Sequence, residues 1–301
     1  MIVTSPARIG IVVTDTYSPV DPDHDTAPLV AALRERGADA QPVVWHDARV
    51  DLTAFDLLVI RSPWDYPDRP GQFHAWLDRA GAATHVVNAP ATMRWNLDKR
   101  YLADLAQAGI RIVPTAYTRT SDEARAALSA HERVVVKPAV SAGARDTGLY
   151  DMSDPAGGAD ALALAERIIA GDGVAMIQPE IAELSAGREK ALYLIDGAFT
   201  HAIAKGALLA DGGGFLGGEY VEHPELVDAT DAEIAFAKDV LRAVREVTSD
   251  ETPLYARVDL VDSAAHGLCL LEVELVEPAL NLHVAAQVTA VVADAILRAA
   301  A

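Results

Sequence analysis

The chain has 301 residues, 51% of them hydrophobic and 23% charged, enough to bury several cores in two or three compact units. A formal charge of -19 and a pI near 4.7 repel phosphate backbones and anionic lipid, which argues against a broad nucleic-acid or membrane surface. The single cysteine, Cys269, leaves no internal disulfide framework and suits a reducing compartment. With no basic, apolar leader and no apolar run near the roughly 20 residues of a membrane span, a cytoplasmic protein is expected.

The first third alternates strands, over residues 8–14, 40–45 and 56–61, with a helix over 27–36 closed by Gly37. Such βαβ order predicts a parallel sheet. A further short strand is expected over 84–88. Past Pro90 come two helical stretches, the second over 98–108 and closed by Gly109. The middle opens with Arg133-Val-Val-Val-Lys-Pro138, a strand ending at a lysine, followed by a loose segment, a helix over 160–169 and a strand over 174–178. This predicts a small separate lobe. From residue 190 onward, two strands flank Asp196-Gly197, the strongest short hairpin signal. The glycine-rich stretch 210–218 reads as a loop. Then follow a long helix over 231–247, strands over 254–261 and 268–276 joined by a turn, and a closing helix over 283–301. Three units are expected: 1–95, a parallel-sheet domain on the substrate side; 96–180, a lid; and 181–301, an antiparallel-sheet lobe.

Strand side chains alternate faces, so Arg257 shares a face with Asp259, and Glu272 with Glu274. If the two strands pair across their short turn, three carboxylates and a guanidinium converge. Carboxylates packed together repel unless cations neutralise them, and hard oxygen ligands favour magnesium or manganese; the competing account is a salt-bridged surface hairpin. Glu277 lies an odd number of residues from the pair, and Pro278 ends the strand, so it belongs to the loop toward Asn281.

Two lysines stand apart. Lys137 ends an apolar strand before Pro138, so its ammonium is aimed by a rigid element, and Lys99 begins a helical stretch where amide donors favour an anion. With a metal-binding hairpin they suggest a polyphosphate, over which the loop 140–148, with Ser141 and Gly143, supplies backbone donors. Neither the P-loop pattern nor a three-glycine dinucleotide fingerprint is present.

In this order Asn96-Leu-Asp-Lys99, Val134-Val-Val-Lys-Pro138, Met176-Ile-Gln-Pro-Glu-Ile-Ala-Glu183, Arg257-Val-Asp259 and Leu271-Glu-Val-Glu274 resemble the ATP-grasp superfamily, specifically its glutathione synthetase and RimK-like ligases. The resemblance implies an α/β fold with a parallel-sheet N-terminal domain, a small lid and a C-terminal antiparallel lobe. It further implies that Lys99 and Lys137 contact ATP phosphates, that the backbone of Gln178, Glu180 and Ile181 reads adenine, and that Glu183 or Glu189 holds the ribose. Asp259, Glu272 and Glu274 would hold two magnesium ions, although many relatives carry asparagine where this chain has Glu274. The implied reaction converts a substrate carboxylate into an acyl phosphate that an amine attacks, with Arg257 stabilising the charge and Lys205 touching substrate or phosphate. His201 shares a side with Lys205 if their strand continues evenly.

The substrate is expected to be a small, amino-acid-like molecule, and nothing in the sequence fixes an oligomeric state. Two N-terminal stretches invite a substrate contact, the acidic segment beginning at Asp15 and Trp64-Asp-Tyr66, which follows a parallel strand where α/β sheets place ligands. A solvated turn and ordinary loop packing are the competing accounts. The stretch Ser62-Pro-Trp-Asp-Tyr66 and the chain length also resemble a stand-alone group that includes the O-ureidoserine cyclo-ligases of D-cycloserine assembly, in which one molecule supplies both carboxylate and nitrogen. An intermolecular amino-acid or dipeptide ligase is the enzymatic alternative, and a nucleotide-binding regulatory module the non-enzymatic one.

Overall fold

The structure is a computed structural model and describes residues 5–19, 22–141, 145–207, 209–210, 212 and 223–301. Strands β1 (Arg8–Val13), β2 (Asp39–Val44), β3 (Leu57–Ser62) and β4 (His85–Val87) form a parallel sheet in the order β2-β1-β3-β4. Helices α1 (Thr26–Glu35) and α2 (Pro70–Ala83) make the crossovers. Alternation sorts the strand side chains between two cores: Ile9, Ile11, Leu57 and Val59 meet α1, whereas Val12, Leu58 and Ile60 meet α2. Both faces are covered, which explains the unbroken apolar runs of these strands. The sequence reading places no helix at α2, yet Pro70 opens it and Phe73, Trp76, Leu77 and Ala80 line its buried side at helical spacing.

Helices α3 (Pro90–Asn96) and α4 (Tyr101–Gln107) follow, with Lys99 in the turn between them rather than at the start of a helix. A second, antiparallel sheet then takes the order β5-β8-β6-β7, from β5 (Ala116–Thr118), β6 (Arg133–Pro138), β7 (Gly148–Asp151) and β8 (Ala175–Pro179). Helices α5 (Ser121–Leu128) and α6 (Pro155–Ala170) share its core. Helix α6 starts five residues before the expected 160. Its true start signal is Asp154, whose carboxylate accepts from the Ala156 N–H before Pro155, and Gly157-Gly158 leave the first turn without apolar markers.

The third sheet, in the order β11-β10-β9-β12-β13, comprises β9 (Glu189–Ile195), β10 (Ala198–Lys205), β11 (Glu225–Val227), β12 (Tyr255–Ser263) and β13 (Gly267–Glu274). The short α7 (Ala182–Ser185) precedes it, and α8 (Asp231–Thr248) packs on one face through Ala237, Val240, Leu241 and Val244. Asp196 and Gly197 both have positive φ, the conformation of a tight two-residue hairpin turn. Helix α9 (Val288–Ala299) begins later than the expected 283, because residues 281–287 turn around Asn281, itself at positive φ. It packs beside α1, so the C-terminal helix closes the core of the first sheet. No helix among the described residues is long and apolar enough to cross a membrane.

Candidate active site

A cavity of about 890 Å³ is lined from all three sheets. Its floor is the β12–β13 hairpin, where antiparallel pairing sets Arg257 opposite Glu274 and Asp259 opposite Glu272. The register slips between Asp259 and Leu260, skipping Leu271. Strict alternation would give Glu272 and Glu274 the face of Leu268 and Leu270, which pack into the core beneath α8. The extra residue turns both glutamates, with Leu271, toward the cavity. That bulge is the local reason a largely apolar strand presents carboxylates to a site.

Every acid of this floor meets a cation. Arg257 donates from Nε and Nη2 to the two oxygens of Asp259, each at 2.8 Å, and from Nη2 to Glu274. Lys205 Nζ lies 3.2 Å from both Asp259 and Glu189, and Lys99 Nζ lies 3.1 Å from Glu272 while donating to the Ser141 carbonyl at 2.7 Å. Burial opposes the charge of Asp259, but Arg257 and Lys205 outweigh it and hold the carboxyl below its usual range. Burial pushes Glu274 up to about 8; Asp259 and Glu272 add to the shift and Arg257 opposes it. Lys137 also lines the cavity, and burial lowers its ammonium below the usual lysine range.

Those donors bear on magnesium. Among the described residues no three acids or histidines gather closely enough to grip an ion unaided. Magnesium is usually held by one or two carboxylates, with phosphate oxygens and water completing the shell. Asp259, Glu272 and Glu274 offer hard oxygens on one cavity face, where Lys99, Lys205 and Arg257 already neutralise part of their charge. The residues therefore fit an ion arriving with a polyphosphate.

Above the floor, Val113, Val135, Ile181, Leu184 and Leu271 make an apolar slot edged by Gln178, Pro179 and Glu180. The Glu180 carboxylate turns away to Arg133 and Ser185, and its N–H donates to the Arg133 carbonyl. Ser141 lines the cavity, whereas Gly143 lies outside the described residues, as does most of the 210–218 stretch. Of the two acids competing for one role, Glu189 lines the cavity. Glu183 does not: it accepts from the Ala264 N–H at 3.1 Å and faces Arg188, tying α7 to the turn after β12.

The opposite wall comes from the N-terminal sheet. Trp64, Asp65 and Tyr66 line it together with Thr16, Tyr17 and Ser18. Asp65 is committed to the frame, accepting from the Trp45 indole at 2.7 Å and pairing with Arg69. Asp15 stays outside the cavity, largely exposed and 3.1 Å from His46. His201 shares a side with Lys205, since β10 runs evenly from 201 to 205, but it stays outside the cavity: it lies two strand steps further along, and its ring stacks on Tyr193, 4.2 Å between centroids. Burial holds that imidazole down to about 4, so it is neutral at pH 7.

The sequence reading also overlooks what fixes the loop after β13. Buried Asp25 accepts from the Leu280 and Leu282 N–H groups, Arg61 donates to the Pro278 carbonyl, and Trp64 Nε1 donates to the Glu277 carbonyl at 3.1 Å. A buried acid at a helix start and an arginine ending an apolar strand were the available signals.

Comparison with known proteins gives a consistent result. The family profile described as "D-cycloserine synthetase DcsG, N-terminal domain" matches residues 9–88. The cycloserine biosynthesis protein DcsG of Streptomyces lavendulae is 34% identical over 281 residues, 90% of this chain and 91% of that protein. The crystal structure of D-cycloserine synthetase DcsG superposes with a TM-score of 0.89 at 30% identity, covering 98% of this chain and 100% of the other. A D-alanine–D-alanine ligase from Bacillus anthracis complexed with ATP shares the fold, with a TM-score of 0.66 at 14% identity over 98% and 97% of the two chains.

Proposed function

Because the chain belongs to the D-cycloserine synthetase family of ATP-grasp ligases, we propose that it closes a ring within one amino-acid-like molecule, with O-ureidoserine as the substrate and cycloserine as the product. The observation that carries this reading is one cavity in which Lys99, Lys137, Lys205 and Arg257 face Asp259, Glu272 and Glu274, beside an apolar slot.

The slot takes adenine. Pro179 has no N–H and that of Glu180 is spent in the sheet, which leaves the Ile181 N–H and the Glu180 carbonyl to read the base edge. Glu189 takes the ribose, and Lys99 and Lys137 take the phosphates. Magnesium, held by Asp259, Glu272 and Glu274, would neutralise charge spread over the phosphoryl oxygens. A substrate carboxylate oxygen attacks the γ-phosphorus and the bond to ADP breaks, giving an acyl phosphate. The oxygen-bound ureido nitrogen then attacks the acyl carbon, loses its proton, and phosphate departs with the C–O bonding pair; water then cleaves the carbamoyl group from the ring nitrogen as carbamate, which leaves as ammonia and carbon dioxide, giving cycloserine. Arg257, fixed by two bonds to Asp259, is preorganised to stabilise the charge that develops on the acyl oxygens. Its scaffold does not need to move for this, so little reorganisation is lost at the moment of reaction.

The test is ADP release from ATP and magnesium across a panel of O-ureidoserine and amino acids, alone and in pairs, with products read by mass. A cyclo-ligase gives a product no heavier than its one substrate, whereas an intermolecular ligase gives a sum of two. Absence of substrate-dependent ADP across the whole panel overturns the ligase reading for this site.

A further inference from the structure

Among the described residues eight acids line the cavity, and seven of them face a cation: Asp65 meets Arg69, Asp68 Arg145, Glu180 Arg133, Glu189 Lys205, Asp259 Arg257, Glu272 Lys99 and Glu274 Arg257. The eighth is Glu277. Among the described residues no cation pairs with it, and its side chain lies within hydrogen-bonding range of the Tyr66 hydroxyl. Burying a carboxylate without a counter-charge is costly, so an acid kept in this way in a site points to a charge supplied from outside.

Resting on the cyclo-ligase reading, we propose that Glu277 is the subsite for the substrate's ammonium group and thereby selects amino acids over plain carboxylic acids. The placement supports this on three counts. Glu277 is on the loop after β13, so it stands between the Arg257 end of the floor, where the reacting carboxylate goes, and the N-terminal wall of Tyr17, Trp64 and Tyr66. Its main chain is fixed, since Trp64 holds the Glu277 carbonyl, Arg61 the next carbonyl, and Asp25 the N–H groups of Leu280 and Leu282. A carboxylate on such a loop is preorganised, so little ordering is lost when a ligand binds. Burial also pushes its carboxyl up to about 7, the direction expected of an enclosed acid with no counter-charge in contact.

The subsite is read by binding rather than turnover, which separates its failure from failure of the ligase reading. Calorimetric titration, with a non-hydrolysable ATP analogue and magnesium present, compares O-ureidoserine with 3-(ureidooxy)propanoate, which differs only in lacking the ammonium. The native protein is expected to prefer O-ureidoserine by roughly 10- to 100-fold, the range for one charge-assisted contact. Glu277→Gln is expected to lose most of that preference, with affinity for 3-(ureidooxy)propanoate and for the nucleotide analogue held, while Glu277→Asp, which keeps the charge, retains a preference. A native protein that binds both ligands alike, or a Glu277→Gln protein that keeps the full preference, overturns the assignment. So does an equal loss for both ligands, which would give the carboxyl a structural role.

Discussion

Glu277 shows how one residue couples stability to pH. Its carboxyl is raised from 4.5 to about 7, first by burial and then by Glu272, against the Tyr66 hydroxyl and the more distant charges of Lys99 and Arg257. The folded protein therefore holds this proton more tightly than the unfolded chain does. Its contribution to stability is fully present below about pH 4.5 and is lost as pH rises through about 7. The neutral Glu277→Gln protein is expected to melt at a higher temperature than the native protein at pH 8, with the gap closing near pH 4.5. Paired thermal melts at the two values check this, and an equal offset at both would refute it. His201 carries the opposite lesson. A histidine beside a reactive site invites a catalytic role, but its ring stacks on Tyr193, lies 3.0 Å from the Leu280 carbonyl through Nε2 and titrates at about 4, so it serves the fold.

At the scale of elements, the bulge at Leu271 separates what β13 must do for the core from what it does for the cavity. Leu268 and Leu270 face the helices, while Glu272 and Glu274 face Asp259 and Arg257. A shift of one residue flips a strand's faces, and inserting one residue achieves that flip midway. Helix α8 backs this sheet and begins with a capping box, in which Thr230 accepts from the Glu233 N–H and Glu233 returns to the Thr230 N–H while also holding Lys190 of β9. Replacing Thr230 with alanine removes one partner of that box. A cost of about 1 kcal/mol is expected in denaturant unfolding. The ADP release rate should not change, since the cap lies on the far side of the sheet from the cavity, and a large fall in that rate would contradict this arrangement.

At the scale of the whole molecule, the first and third sheets share a hydrophobic core and are joined as well by buried polar links. The Asn88 amide donates to the Tyr255 and Leu275 carbonyls and its oxygen accepts from the Leu254 N–H. The Tyr255 hydroxyl, with Arg61 stacked 4.8 Å from its ring, meets carbonyls of Ile60, Val87 and Val276. These bonds weld the N-terminal wall to the β12–β13 floor, so the two sides of the cavity keep one geometry. Asn88→Ala would leave three buried backbone groups without this partner. Destabilisation of about 2–4 kcal/mol is expected from the urea midpoint, since each orphaned group costs about 1–3 kcal/mol if water cannot reach it. A change under 0.5 kcal/mol, within the range of ordinary surface substitutions, would show that the link is dispensable.

The order of strands and helices, the parallel first sheet, the Asp196-Gly197 turn and the shared faces of Arg257 with Asp259 and of Glu272 with Glu274 were legible in the sequence, because hydrophobic period and turn chemistry are local. The lysines at positions 99 and 137 were legible too, as charges interrupting apolar or helical context. What only the tertiary structure decided is partnership. The bulge at Leu271, the commitment of Asp65 to Trp45 and Arg69, the removal of Glu183 and His201 from the cavity and the lack, among the described residues, of a cation in contact with Glu277 each depend on residues far away in sequence. A side chain's type and spacing say what it can bind, but its charge and role depend on which groups the fold brings within a few ångströms of it.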